Sequence, residues 1–225
     1  MREVRITPDV NRYAEGSVLI EFGHTKVHCT ASVDNKVPPF LEGKNKGWVT
    51  AEYAMLPRST HTRSGRNPGG RGTEIQRLIG RALRAAVDTT ALGQRQITID
   101  CDVIQADGGT RTAAITGGWV ALALAVRRIG AKTPFAKDPM VRAISAVSTG
   151  IVKGSALLDL AYEEDSKADT DFNFVITNDG RFVEIQGSAE AEPFTAEEYD
   201  RLVALARVGA QQLFALQQQA LAAAK

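Results

Sequence analysis

Apolar and polar residues alternate with a period of two in several short stretches, and that alternation predicts strands. Ser17 to Phe22 reads as one strand, Gly23-His24-Thr25 as a turn, and Lys26 to Val33 as the returning strand with Val27, Cys29, Ala31 and Val33 on one face. The pair is a hairpin. Gly47 to Tyr53 predicts a further strand with Trp48 as its packing anchor, and Ile97 to Ile104 another. Ala143 to Lys153 and Ala156 to Tyr162 form a second hairpin over Gly154-Ser155. Phe172 to Thr177 and Phe182 to Gln186 form a third over Asn178-Asp179-Gly180, whose Asp-Gly pair favours a tight turn.

The period changes to that of a helix in three places. Thr73 to Gln76 matches a capping box, and Ile75, Leu78, Ile79, Ala82, Leu83, Ala86 and Val87 follow on one face. Arg77, Arg81 and Arg84 share another face. After Thr110 a second helix carries Ile115, Val120, Leu122, Leu124, Val126 and Ile129, with Gly130 as its stop. A third starts at Thr195, with Glu198 completing a capping box, and is expected to fray in the Gln/Ala tail. Each half of the chain thus offers a hairpin, further strands and a long closing helix. The prediction is an α+β fold: a single domain over residues 1–225, built of two related halves, approximately 1–131 and 140–225.

Composition narrows the setting. The formal net charge of +1 supplies no global basic field, so a nucleic-acid partner would have to be held by a local patch. Cys29 and Cys101 occupy apolar strand positions with no Cys or His at metal-ligand spacing, so both read as small buried hydrophobes in a reducing compartment. Met1 to Arg5 lacks the apolar core of a secretory signal. The densest apolar run, Trp119 to Val126, is too short to span a bilayer. The expectation is a cytoplasmic protein with no membrane partner.

Three stretches carry candidate chemistry. In Gln105-Ala106-Asp107-Gly108-Gly109-Thr110-Arg111-Thr112-Ala113, a strand runs into a glycine turn and a helix runs out. Free amides and the helix dipole favour an anion at such a junction. Gly108 and Gly109 permit close approach and positive φ. Thr110 adds a hydroxyl, and Arg111 a fork that matches phosphate. An ordinary tight turn with Thr110 as N-cap is the plainer alternative. The stretch Arg58 to Gly72 holds four arginines and one histidine without an acid, too polar and glycine-rich to pack. It reads as a long loop, either solvated or suited to an RNA backbone. Arg77, Arg81 and Arg84 either extend that basic surface or form a solvated or interface face. His24, at a hairpin tip, reads as a solvated turn residue.

Third, Glu163 to Asp171 is dense in acids. Clustered acids in a loop are usually solvated. Asp171, however, begins a strand, where its carboxylate is fixed. With Asp165 it offers oxygen ligands to Mg²⁺, or a proton to a leaving oxygen. A phosphate cradle, an arginine-rich loop and two carboxylates together suggest phosphoryl-group chemistry. No Ser-His-Asp, Cys-His or Walker A pattern accompanies them.

These stretches sit within longer motifs: Ala14-Glu15-Gly16-Ser17-Val18, Gly47-Trp48-Val49-Thr50-Ala51-Glu52-Tyr53, Met55 to Arg63, Glu74 to Arg84, Gln105 to Ala113, Glu164-Asp165-Ser166, Asp171-Phe172-Asn173 and Glu184-Ile185-Gln186-Gly187. In this order, over nearly the whole chain, they resemble the ribonuclease PH family of phosphorolytic 3′→5′ exoribonucleases. The resemblance implies a βαβα duplication related to ribosomal protein S5 domain 2 and assembly into a homohexameric ring, a trimer of dimers. It implies that Arg71, Gly109, Thr110 and Arg111 hold inorganic phosphate, and that Asp165 and Asp171 are the catalytic, Mg²⁺-associated aspartates. Arg58, Arg63 and Arg66 match the basic loop that handles the RNA 3′ end, and Arg77 and Arg81 extend it as candidate RNA contacts. The implied reaction is RNA(n+1) plus phosphate giving RNA(n) plus a nucleoside diphosphate, with the 3′ trailer of precursor tRNA as main substrate. Relative to the family, the sequence begins after a usual basic Arg-x-Asp-Gly-Arg type segment. The Arg63–Arg71 loop looks shorter, and Ala136 to Met140 looks condensed. A non-catalytic RNA-binding ring subunit and a small-molecule phosphotransferase are the alternatives; the arginines and aspartates speak against the first, the missing ATP loop against the second.

Overall fold

A computed structural model describes all residues except Pro68, Ala191 and Lys225. Five strands build the first sheet: β1 (Val4–Pro8), β2 (Gly16–Phe22), β3 (Thr25–Asp34), β4 (Trp48–Met55) and β5 (Gln96–Gln105), in the spatial order β1-β2-β3-β5-β4. Alternation dictates their faces: Val27, Cys29 and Ala31 on β3 and Ile97, Ile99, Cys101 and Val103 on β5 are buried. β4 lies parallel to β5, the other neighbours antiparallel. A parallel pair needs a crossover, here supplied by α1 (Gly69–Arg84) and the short α2 (Thr89–Leu92).

The second sheet is antiparallel, in the order β7-β6-β8-β9, from β6 (Ile144–Val152), β7 (Ser155–Leu158), β8 (Thr170–Thr177) and β9 (Phe182–Ala189). Between the sheets runs α3 (Thr110–Lys132), which packs on β2 and β3 on one side and β6 on the other. Every residue from Thr112 to Leu122 is therefore buried. By length and composition α3 would suffice to cross a membrane, yet 72% of its most apolar window is buried inside the protein, as befits a central core helix. The last helix, α5 (Ala196–Ala223), lies against β6, β7 and β1. Its fully buried Gln217 donates through Nε2 to Thr116 O and Ile144 O, each at 3.0 Å, tying α3 to β6.

The predicted hairpins are all present, and Thr195 caps α5 with Glu198 as expected. Several boundaries differ. Helix α1 starts at Gly69, not Thr73; Thr73 Oγ1 bonds Gly69 O within the helix at 3.1 Å, so it caps nothing, and Arg71 moves from the loop into the first turn. Helix α3 passes Gly130 and ends at Lys132. β7 stops at Leu158, and the acidic stretch opens with a one-turn helix, α4 (Tyr162–Asp165). The Gln/Ala tail stays helical to Ala223 because Leu213, Gln217, Ala220 and Leu221 face inward. β1, α2 and a 3₁₀ turn at Pro39–Leu41 were not foreseen.

Candidate phosphate and RNA site

The glycine turn is built from its backbone outward. Gly108 and Gly109 both have positive φ, 72° and 64°, a region that L side chains enter at a cost. Thr25 of β3 fastens the turn: its Oγ1 donates to Gly108 O at 2.6 Å and accepts from Asp107 N at 2.9 Å. Gly109, not Thr110, is the N-cap of α3, and no side chain caps the helix there. The first amides of α3 thus keep no side-chain partner among the described residues, the state in which helix amides receive an anion. Thr110 instead exchanges a hydrogen bond with Tyr53 Oη, 2.9 Å away on β4. Burial pushes the Tyr53 phenol up, while the Thr110 bond and the Arg71 and Arg111 guanidinium groups pull it down. Arg111 reaches across to β9, where its Nη1 donates to Gln186 Oε1 at 3.1 Å.

The two aspartates come from the second half. Asp165 ends α4, and Asp171 lies in β8, paired with Gly150 on β6 and Ser188 on β9. Surrounding atoms keep water from part of the Asp165 carboxylate, although the residue as a whole stays exposed. That crowding pushes its carboxyl above the usual range, and the nearby Asp171 adds to the push; Arg111, Arg71 and Arg2 oppose it. Asp165, Asp171, Arg71 and Arg111 are therefore gathered into one electrostatic neighbourhood beside the glycine turn. Two mutually repelling carboxylates are a donor set that suits Mg²⁺, which takes one or two carboxylates and completes its shell with phosphate oxygens and water. Among the described residues no group of three or more His, Cys, Asp or Glu converges as an all-protein metal cage.

The arginines predicted to contact RNA divide. Arg58, Arg63 and Arg66 are exposed on the loop after β4 and make no ion pair among the described residues. The loop is anchored at its root, where Ser59 O accepts from Ala106 N at 2.8 Å and Pro57 O from Ser64 N at 2.9 Å. Farther along, the His61 ring meets Tyr162 of α4 with centroids 6.5 Å apart. Arg77 is exposed on α1. Arg81 is held by Glu184 of β9 through Nη2–Oε1 at 2.5 Å and Nε–Oε2 at 2.9 Å. Arg84 is withdrawn from the basic face: it lies over the Trp48 ring at 4.3 Å and donates to Val49 O at 2.8 Å.

Sequence reasoning did not single out Tyr53, Gln186, Arg2 or Asp159. The alternation puts Asp159 inside a strand, but it follows β7 with φ 62° and is 1% exposed. An acid in the apolar run Leu157-Leu158-Asp159-Leu160-Ala161 was the available signal.

Two α+β halves wrapped around a shared helix define the RNase PH fold. The chain belongs to the 3′ exoribonuclease family: residues 1–127 match its domain 1 and residues 143–209 its domain 2. Among solved structures it is similar to Rrp46 of rice (Oryza sativa), with a TM-score of 0.81 and 16% identity over 98% of this chain and 95% of that one. It is also similar to the Archaeoglobus fulgidus exosome with RNA bound to the active site, with a TM-score of 0.77 and 23% identity over 94% and 87%. An archaeal exosome core gives 0.72 and 21% over 94% and 85%. Two of these three structures are thus exosome assemblies, and at these identities all three speak for the fold alone.

Proposed function

We propose that the protein shortens RNA from its 3′ end by phosphorolysis. The observation that carries this reading is the meeting of Arg71, Arg111, Asp165 and Asp171 beside the Gly108–Gly109 turn. Positive groups and open helix amides collect a dianion, which makes orthophosphate rather than water the nucleophile. Gly109, Thr110, Arg111 and Arg71 hold it. Its oxygen attacks the phosphorus of the last internucleotide linkage as the bond to the preceding ribose O3′ breaks. The products are RNA shorter by one nucleotide, ending in a 3′-hydroxyl, and a nucleoside diphosphate. Asp165 and Asp171 would hold Mg²⁺, which when bound would neutralise charge on the transferring phosphoryl group; alternatively, one of them, protonated, would supply the proton that O3′ takes up. Arg58, Arg63, Arg66 and Arg77 line the approach of the RNA backbone, and Arg81 joins them where Glu184 releases it.

By the same reading the substrate is the 3′ trailer of precursor tRNA, the protein works in the cytoplasm, and it assembles as a homohexameric ring. A second reading, a ring subunit that binds RNA without cutting it, draws on the similarity to exosome subunits; retention of both aspartates and both phosphate arginines favours the catalytic one. The test is a short RNA incubated with Mg²⁺, with and without inorganic phosphate, and separation of the products. Phosphate-dependent release of nucleoside diphosphates is expected. Equal shortening in phosphate-free buffer, with release of 5′-monophosphates, overturns the reading, and RNA binding without shortening supports the non-catalytic subunit.

A further inference from the structure

Arg2 enters the site from behind. Its backbone N and Nε both donate to Asp159 Oδ2 at 3.0 Å, and its Nη2 to Asp159 Oδ1 at 2.7 Å. Its remaining branch, Nη1, donates to the carbonyl of Asp107, the residue that opens the glycine turn. The Arg2 side chain is 15% exposed and that of Asp159 fully buried. Next to this pair stands Gly109: a Cβ added there would lie 3.1 Å from Arg2 Nη2, so the guanidinium forms the back wall of the turn. Asp107 is gripped a second time, since its Oδ1 accepts from Tyr162 N at 3.2 Å. From Tyr162 the one turn of α4 leads to Asp165. A single side chain therefore connects the segment before β1, the turn before α3 and the segment that carries an aspartate of the second half.

Burying an ion pair of this kind contributes little to stability compared with apolar packing, so stability alone does not account for it. Geometry does. The arginine fork fixes two oxygens of one carboxylate and one carbonyl in a single plane, which lysine cannot do. We infer that Arg2, oriented by Asp159, is a positioning residue of the phosphate site that sets the spacing between the glycine turn and Asp165; the inference rests on the phosphorolytic reading. Arg2 packs close behind Gly109 and orients the turn through the Asp107 carbonyl, so its role is separate from that of Arg71 and Arg111.

The test compares the wild-type protein with Arg2→Ala and Arg2→Lys. The readouts are the apparent KM for inorganic phosphate and for RNA, and the rise in melting temperature that inorganic phosphate produces without RNA. A loosened site is expected to raise the phosphate KM of both variants by about tenfold or more, to leave the RNA KM nearly unchanged, and to shrink the phosphate-induced rise in melting temperature. Free guanidinium ion is expected to restore part of the phosphate affinity to Arg2→Ala. A wild-type phosphate KM in the variants, or equal losses for phosphate and RNA, overturns the inference while leaving phosphorolysis in place. Where Arg2→Ala fails to fold, Arg2→Lys decides: it keeps the charge beside Asp159 but lacks the fork to Asp107, and wild-type behaviour from it overturns the inference. A wild type that ignores phosphate in both assays overturns the phosphorolytic reading, and this inference with it.

Discussion

Arg111 Nη1 and Gln186 Oε1 meet at 3.1 Å across the two halves of the molecule. The arginine lies in the first turn of α3 and the glutamine in β9, so the orientation of a guanidinium in the first half depends on a strand of the second. Gln186→Ala leaves that fork free to rotate. The expected outcome is a weaker apparent phosphate affinity, by about fivefold for one lost hydrogen bond of roughly 1 kcal/mol, with RNA affinity unchanged; phosphate titration of the shortening rate checks it.

On the phosphorolytic reading Asp171 serves chemistry, and it is half-buried outside the apolar core. Asp171→Ala is expected to lower phosphorolysis by at least about a hundredfold, the scale seen when charge stabilisation is removed from a reacting centre. Its unfolding transition should match the wild type. Near-normal turnover would show that the residue has no part in the reaction.

The raised Asp165 carboxyl makes a prediction of opposite sign for stability and activity. A carboxyl whose pKa is higher in the fold than in the unfolded chain favours folding when protonated and disfavours it when ionised. The cost is absent below the unfolded value of 3.8 and is fully present above the raised folded value. In metal-free buffer Asp165→Asn is expected to be modestly more stable than wild type at neutral pH, with the gap closing as pH falls through that window. Mg²⁺ should stabilise the wild type more than the variant. Urea midpoints with and without Mg²⁺ check both statements, and phosphorolysis should be lost throughout.

Gly108 has no room for a side chain. A Cβ there would lie 2.4 Å from Leu160 O, a backbone atom that cannot swing aside, and φ is positive. Gly108→Ala is expected to cost about 2 kcal/mol or more from backbone strain and clash together, and to separate the turn from α4. Chemical denaturation measures the first effect and phosphate affinity the second.

Arg77 and Arg81 share a helix but not an environment. Both are exposed, but Arg81 is already paired with Glu184, whereas Arg77 makes no ion pair among the described residues. Arg77→Ala is expected to reduce the salt dependence of RNA binding by roughly one unit of slope, as for loss of one phosphate contact, and Arg81→Ala by less. Binding to a fixed RNA over a range of salt concentrations separates them.

The parts of this molecule legible in its sequence are those written locally. The glycine pair, the hydroxyl and the arginine of Gln105–Ala113 announce a strand–turn–helix junction, because the turn needs glycine where it stands. The start of α1 was hidden because Gly69 and Gly70 are poor helix formers; Asn67 Oδ1, accepting from Gly69 N at 3.0 Å, organises that end. Gly130 reads as a stop, but α3 continues past it to Lys132, with Phe135 packed close beside the glycine. Periodicity put Arg84 on a polar face without saying that Trp48 of β4 would cover it. Arg2 and Asp159 are 157 positions apart, and no spacing rule connects residues brought together only by the closure of two sheets on one helix.

Gln217 sits near the far end of α5, yet its amide answers two main-chain oxygens at the heart of the fold. Clipping the last turns of α5 would remove this side-chain donor from both oxygens in a place water does not reach. Damage at the tail would then be felt along the seam where α3 meets β6, and limited proteolysis there should loosen the two halves before it frays the edge.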